Sequence, residues 1–316
     1  MKSPQRKTPV ILLSLALSAL SCLPVSAAPA LYKQVQNVEA SNKAVVRQLS
    51  EAMLGGTDIQ ALGKYFAPNL IAHDPTVANG RTGMLMAIES LRQTLPGQAL
   101  TVKHILGDRD MVMVHSHISA TPANEKSGLN RLDVYRLDKG VIVEHWAVRA
   151  KAPTWSASGN SAFSDLYQYA TTPPVLSDEQ VEGNRLLVKG LSEEVFGKQN
   201  FGLLNRLWHV NYIQHNPNVG NGRAALASVI HYISTPGAGY RVVHSMADGD
   251  IAAACAQITP VGANHSDEFA GGMVCDLYRV VNFELVEHWD IYQSTPSSTV
   301  SGNSMFSKLY RGNQGN

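Results

Sequence analysis

The chain has 316 residues, 44% of them hydrophobic and 16% charged, with a formal net charge of +1. This length suggests about two domains of ordinary size. The near-neutral balance offers no electrostatic case for nucleic acid or an anionic membrane as partner, and no run past the N-terminus has the length and apolarity of a membrane span.

Lys2, Arg6 and Lys7 form a basic head, Val10 to Leu20 a short apolar run, and Val25-Ser26-Ala27 a small-residue cleavage site. Residues 1–27 therefore read as a secretory signal peptide, which implies a periplasmic or secreted protein. The rival reading is a lipoprotein signal at Ala19-Leu20-Ser21-Cys22, which fits less well because Ala19 stands three residues before the cysteine. Beyond that segment only Cys255 and Cys275 remain. A hairpin centred near His265 would set them opposite each other for a disulfide, whereas a register shift of one residue would forbid the bond.

The remaining chain reads as one domain written twice. Asn37 to Leu54 carries Val38, Val45, Val46, Leu49 and Met53 at helical spacing and stops at Gly55-Gly56. A second short helix carries Leu62, Tyr65 and Phe66, and a brief extended piece, Asn69 to His73, ends at Asp74-Pro75. A third helix over Thr82 to Leu95 carries Met84, Leu85, Ile88 and Leu91. Four strands follow, Ala99 to Leu106, Asp110 to Ala120, Leu129 to Leu137 and Val141 to Arg149, with Asp138-Lys139-Gly140 as a hairpin turn. The second copy places helices near 178–196, 200–209 and 223–234, and strands near 239–247, 250–259, 271–280 and 283–292. The matches run in order: His73-Asp74-Pro75 with His215-Asn216-Pro217, Gly80-Arg81 with Gly222-Arg223, Asp133-Val134-Tyr135-Arg136 with Asp276-Leu277-Tyr278-Arg279, and Val143-Glu144-His145-Trp146 with Val286-Glu287-His288-Trp289. Ser158-Gly159-Asn160-Ser161 and Phe163 return as Ser301-Gly302-Asn303-Ser304 and Phe306, and look like helix N-caps. The expected domains are 36–170 and 178–311, joined by a linker over 171–177 that contains Pro173-Pro174. Helices followed by a run of strands is an α+β pattern. The helices would cover one face of a curved antiparallel sheet, closing a cone whose interior suits a small apolar ligand.

Several residues in these copies could carry chemistry. His73 and His215 sit at proline corners, where a histidine either caps a loop or lines a cavity mouth. His115 and His117 share one strand face and, with His73, have a spacing compatible with a metal; the competing reading is a hydrogen-bonded wall, and the second copy has Cys255 and Gln257 at these places. Asp133 and Asp276, each followed two residues later by Tyr135 or Tyr278, are mid-strand acids: general acid–base groups if they face an apolar interior, structural partners of His145 or His288 otherwise. On the last strand His288 and Asp290 share a face, while the first copy has Ala147 in place of that aspartate. Glu144, Trp146, Glu287 and Trp289 fall on the opposite face, as packing or a dimer contact.

Tyr212-Ile213-Gln214-His215-Asn216-Pro217, Gly222-Arg223, Val286-Glu287-His288-Trp289-Asp290 and Ser301-Gly302-Asn303-Ser304-Met305-Phe306 resemble the SnoaL-like proteins of the NTF2-like superfamily, more narrowly the group labelled as predicted SnoaL-like aldol-condensation enzymes. The resemblance covers both copies. It implies two tandem cone-shaped α+β barrels, packed as an intramolecular pseudo-dimer or in a homodimer. It also implies acid–base chemistry on a small apolar carbonyl compound, without cofactor or metal. By that resemblance Asp290 is the base, with Asp276, His288 and His215 as its catalytic supports. His73, His115, His117, Asp133, His145, Tyr135 and Tyr278 would contact substrate. The alternative is a non-catalytic protein that binds a small hydrophobic ligand or a partner chain.

Overall fold

The computed structural model describes residues 28–311, with side chains from residue 35 onward, so the expected signal peptide over 1–27 lies outside the described residues. The first half runs α1 (Ala28–Met53), β1 (Phe66–Ala72), α2 (Gly80–Thr94), β2 (Ala99–Asp108), β3 (Met111–Ser119), β4 (Leu129–Asp138) and β5 (Val141–Lys151). The second runs α3 (Asp178–Leu191), α4 (Leu204–Leu207), β6 (Trp208–Gln214), α5 (Arg223–Ile233), β7 (Gly239–Asp248), β8 (Ile251–Thr259), β9 (Gly272–Val281) and β10 (Glu284–Ser294). The architecture is α+β, with two five-stranded sheets of identical order, β1-β5-β4-β3-β2 and β6-β10-β9-β8-β7.

Local sequence accounts for these elements. Val46, Leu49 and Met53 fall on one stripe of α1, and Met84, Leu85 and Ile88 on one stripe of α2; all are buried against their sheet. Ser177 caps α3 with a reciprocal capping box to Gln180. Lys139 and Gly140 both take positive φ at the β4–β5 turn, as a two-residue hairpin loop requires. The short helix expected around Tyr65 is a tight 3₁₀ turn over Gln60–Tyr65. The extended piece after it is longer than expected: β1 begins at Phe66 and joins the sheet parallel to β5. The segment from 201 to 207 forms a 3₁₀ turn and one turn of α4.

Both faces of each sheet are buried, for different reasons. Val112 and Val114 pack beneath the helices with Leu49, Leu62 and Ile88. Met111 and Met113, on the other face of the same strand, join Trp146, Met246, Leu277 and Trp289 in a core drawn from both halves. The sheets therefore pack back to back, and each keeps its helix-covered hollow on the outside. Cys255 lies opposite Cys275 in the β8–β9 register, and the two form a disulfide.

The Ser-Gly-Asn-Ser segments cap no helix. Each is part of an irregular tail that crosses to the other half. Asn160 Nδ2 donates to the Gln214 carbonyl and Asn303 Nδ2 to the Ala72 carbonyl. Trp289 Nε1 donates to the Ser164 carbonyl and Trp146 Nε1 to the Ser307 carbonyl. Glu287 accepts from the amides of Leu166 and Tyr167, and Glu144 from those of Leu309 and Tyr310. The exchange is reciprocal, so each half is completed by the tail of the other.

Candidate functional site

The second hollow is a cavity of about 410 Å³. Strand alternation turns Asp276 and Tyr278 of β9 and His288 and Asp290 of β10 into it. The antiparallel register sets Asp290 directly across from Asp276, and His288 across from Tyr278. Leu226, Val229 and Ile233 of α5, with Tyr212, Tyr240 and Val274, make most of the remaining wall apolar or aromatic.

Two amides fix the polar groups. The Gln214 side-chain oxygen accepts from the backbone N–H of Asn216 at 2.9 Å. A backbone N–H can only donate, so this atom is an acceptor, and His288 Nδ1, 2.7 Å from it, must carry a hydrogen. His288 Nε2 lies 3.0 Å from Asp276 Oδ1. The ring thus lies between two oxygens, the Gln214 side chain at Nδ1 and the Asp276 carboxylate at Nε2. Asn216 is oriented in the same way. Its Oδ1 accepts from the Asn218 amide at 2.8 Å, which turns its Nδ2 toward Asp290 Oδ2 at 2.5 Å. Burial raises the Asp290 carboxyl above the ordinary aspartate value and the facing Asp276 adds to that; His288 and the Asn216 hydrogen bond act in the opposite direction. One aspartate is therefore tied to an imidazole, while the other keeps a raised proton affinity beside an apolar cavity. Asp276, His288 and Asp290 also bring three potential ligand atoms within 4.8 Å of one another, a set that would suit a divalent cation with Gln214 holding the far side of the ring.

The first hollow keeps Asp133, Tyr135 and His145 at the matching places and changes their surroundings. His145 Nε2 lies 2.7 Å from Asp133 Oδ1, but Ala72 stands where Gln214 would be, and His145 Nδ1 has no hydrogen-bond partner. Arg131 replaces Val274 and grips Asp133 through Nε and Nη2, each at 2.7 Å. Burial would raise the Asp133 carboxyl, but Arg131 and His145 outweigh it and hold it well below the usual range. Ala147 faces Asp133 where Asp290 faces Asp276. The first cavity, about 260 Å³, is lined by Asp74, Arg131 and Arg149 at its polar end and by Met53, Met84, Ile88 and Leu91 elsewhere; Asp133, Tyr135 and His145 do not line it.

Besides Asp133, Tyr135 and His145, four expected site residues lie away from the cavities. His215 is bonded to Glu287 at 3.0 Å and to the Ser161 carbonyl at 2.6 Å, and stacks on Trp289. His73 is held likewise by Glu144, the Ser304 carbonyl and Trp146. Both belong to the junction between halves and not to a cavity. The reason is alternation: Gln214, one residue earlier, takes the inward position. His115 and His117 share the sheet-to-sheet face with Met111 and Met113. His115 bonds to His104 and Asn130 and His117 to the Ser127 carbonyl, so these two and His73 do not converge on a metal site. The residues missed by the sequence reading are Gln214, Asn216, Arg131 and Arg149. Their signal was available, since each is an inward position at which the two copies differ in polarity or charge: Gln214 against Ala72, Asn216 against Asp74, Arg131 against Val274, Arg149 against Tyr292.

Residues 44–156, just over a third of the chain, match the family model of the SnoaL-like polyketide cyclases. No curated protein matches the chain. Among solved structures, a SnoaL-like family protein from Agrobacterium tumefaciens is 20% identical, with 34% of this chain and 95% of that one covered at a TM-score of 0.30. IdmH from Streptomyces antibioticus is 23% identical over 34% of this chain and 91% of its own, at a TM-score of 0.30. An NTF2-like protein from Mesorhizobium loti is 15% identical over 34% and 90%, at 0.28. Residues 44–156 are thus similar to a SnoaL-like domain.

Proposed function

We propose that the second hollow is a cofactor-independent acid–base chamber, acting as an aldol cyclase or isomerase on a small apolar carbonyl compound. The observation that carries this reading is the cross-strand pair Asp276–Asp290 in a mostly apolar cavity, with one carboxylate committed to His288 and the other raised. Asp290 removes a proton from the carbon next to the substrate carbonyl. A proton held between His288 and Asp276 passes to the carbonyl oxygen, giving the enol. In an unsaturated ketone Asp290 returns its proton to the far carbon of the dienol and the oxygen gives its own back to His288 and Asp276, which completes an isomerisation; in an aldol closure the enol carbon attacks a second carbonyl, whose oxygen takes the proton from Asp290 while the enol oxygen returns its own. Gln214 and Asn216 hold the ring and the base in register for both outcomes.

The test needs no knowledge of the natural substrate. A hydrophobic methyl ketone is incubated with the protein in D₂O, and loss of its α-proton signals is followed by NMR. Asp290→Asn is expected to slow exchange by about 10²–10⁴-fold. Exchange unchanged by that substitution would refute the assignment. The first hollow reads as a binding chamber, because Ala147 removes the base and Arg131 locks Asp133. We further propose a periplasmic or secreted location, supported by the character of residues 1–27 and by a disulfide within the fold. Fractionation of cells with mass spectrometry of the N-terminus tests it: an unprocessed cytosolic chain would contradict it.

A further inference from the structure

The polar end of the first hollow has a feature that the acid–base reading does not use. Arg131 and Arg149 are directly opposed on β4 and β5, and both turn into the cavity. Like charges in that relation repel unless an anion lies between them. Among the described residues Asp74 is the acid that pairs with both, and it does so at ion-pair and not hydrogen-bond distance: its oxygens stand 3.7 Å from Arg131 and 3.5 Å from Arg149. Asp74 is turned instead toward Thr76, accepting from its amide and its hydroxyl at 2.9 Å each. Arg131 gives two donors to Asp133, and Arg149 gives one to Thr76 Oγ1 at 2.9 Å. Among the described residues the other guanidinium donors of Arg149 have no hydrogen-bond partner. Its side chain is 29% exposed, at the mouth of the cavity.

We propose that the first hollow is a binding site for a monocarboxylate with an apolar tail, its carboxylate seated between Arg149 and Arg131 and its tail against Met84, Ile88 and Leu91. The planar fork of arginine suits a carboxylate, and a guanidinium is more weakly hydrated than an ammonium, which favours use at a half-buried site. Asp74 and Asp133 already balance the two guanidiniums, so a carboxylate would be held by the directed donors of Arg149 and not by a net positive charge, and a second negative charge on the ligand would have nothing to offset it. The second hollow has Val274 and Tyr292 at the two arginine positions and a pair of aspartates beside them. It is built against the same ligand. The two chambers of one chain thus select different chemistry, and this inference stands whether or not the second is catalytic.

Isothermal titration of the full chain with octanoate, 1-octanol and octylamine tests the proposal. Octanoate should bind best. Arg149→Gln should weaken octanoate by about 10- to 100-fold, the worth of a charge-assisted hydrogen-bond pair, and leave octanol unchanged. Leu91→Trp should weaken octanoate while sparing butyrate, which separates loss of tail space from loss of fold. The proposal is overturned if octanoate shows no heat of binding short of micelle formation, if octanol binds as well as octanoate, or if Arg149→Gln leaves octanoate affinity intact. A gain in octanoate affinity on Asp290→Asn would place the ligand in the second hollow and also overturn it.

Discussion

At the scale of single residues, the two hollows show how one exchange of neighbours redirects the same acid. Asp133 and Asp276 occupy matching positions, and each bonds the following strand's histidine. Arg131 converts the first into half of a buried ion pair, whereas Asp290 gives the second a like-charged neighbour. A stability consequence follows for Asp290. Its carboxyl is raised in the folded state above 3.8, so between that value and its folded value the native chain holds more protons than the unfolded chain. Stability therefore falls as pH rises through that window, and the deficit persists above it. Asp290→Asn removes the deficit, so the variant should melt higher than the parent at neutral pH and equally below the ordinary aspartate value. The deficit is about 1.4 kcal/mol for each unit by which the carboxyl is raised. A variant that loses α-proton exchange and gains thermal stability would mark Asp290 as a strained functional group; one that loses both would mark it as structural. Gln214→Ala makes the complementary test. It leaves His288 Nδ1 without an acceptor, as His145 already is in the first hollow. Exchange should slow by about tenfold, and the Nδ1 proton resonance should broaden or vanish in ¹H–¹⁵N spectra of the imidazole.

Strands and tails were unevenly legible. The pairing of Asp290 with Asp276 follows from the short β9–β10 turn and alternation, which leave little freedom of register, whereas the parallel place of β1 beside β5 is a long-range contact that no turn dictates. Which face of β3 looks into the hollow does not follow, because every residue from Met111 to Ser119 is buried and the alternation carries no polarity signal. His115 and His117 were misplaced for that reason. The tails were illegible for another: Ser-Gly-Asn-Ser before an aromatic is a sound local cap signal, but its partners are carbonyls of the other half, at Ala72 and Gln214. Only a long-range contact decides between the two uses. Glu144 shows what that contact is worth. It is fully buried and accepts from the Leu309 and Tyr310 amides, from Arg136 and from His73. Glu144→Ala should cost about 3–5 kcal/mol, as loss of one member of a buried charged network does. Hydrogen exchange of the Val300 and Leu309 amides should rise in that variant while β7 to β9 stay protected. Uniform exposure throughout the chain would mean that the tail is not a separately anchored element.

For the whole molecule, the surface between the two sheets decides how the halves stay together. It is apolar at its centre, with Trp146, Met246, Leu277 and Trp289, and histidines surround these side chains. His104 packs against Trp289 and lies 3.0 Å from His115, nitrogen to nitrogen, while His244 meets Trp146 edge-on. Burial depresses all three: His115 falls to about 4, His104 to about 2 and His244 well below its ordinary value. Between two facing ring nitrogens one must accept, so the His104–His115 contact forbids double protonation of both rings. The unfolded chain protonates the same groups near 6.5. Below that pH the unfolded state binds more protons than the native state, so stability present in full above 6.5 is lost as pH falls toward 4 and beyond. Each such histidine contributes a slope of about 1.4 kcal/mol per pH unit inside its window. Thermal melts across this range should therefore fall steeply with acid. Replacing His115 by glutamine, which retains a side-chain donor for Asn130, should flatten the slope by about one proton. A parent melting temperature that is level between pH 6.5 and 4 would show that the histidines between the sheets reach water in the folded chain, and that the docking of the two halves is looser than their back-to-back packing implies.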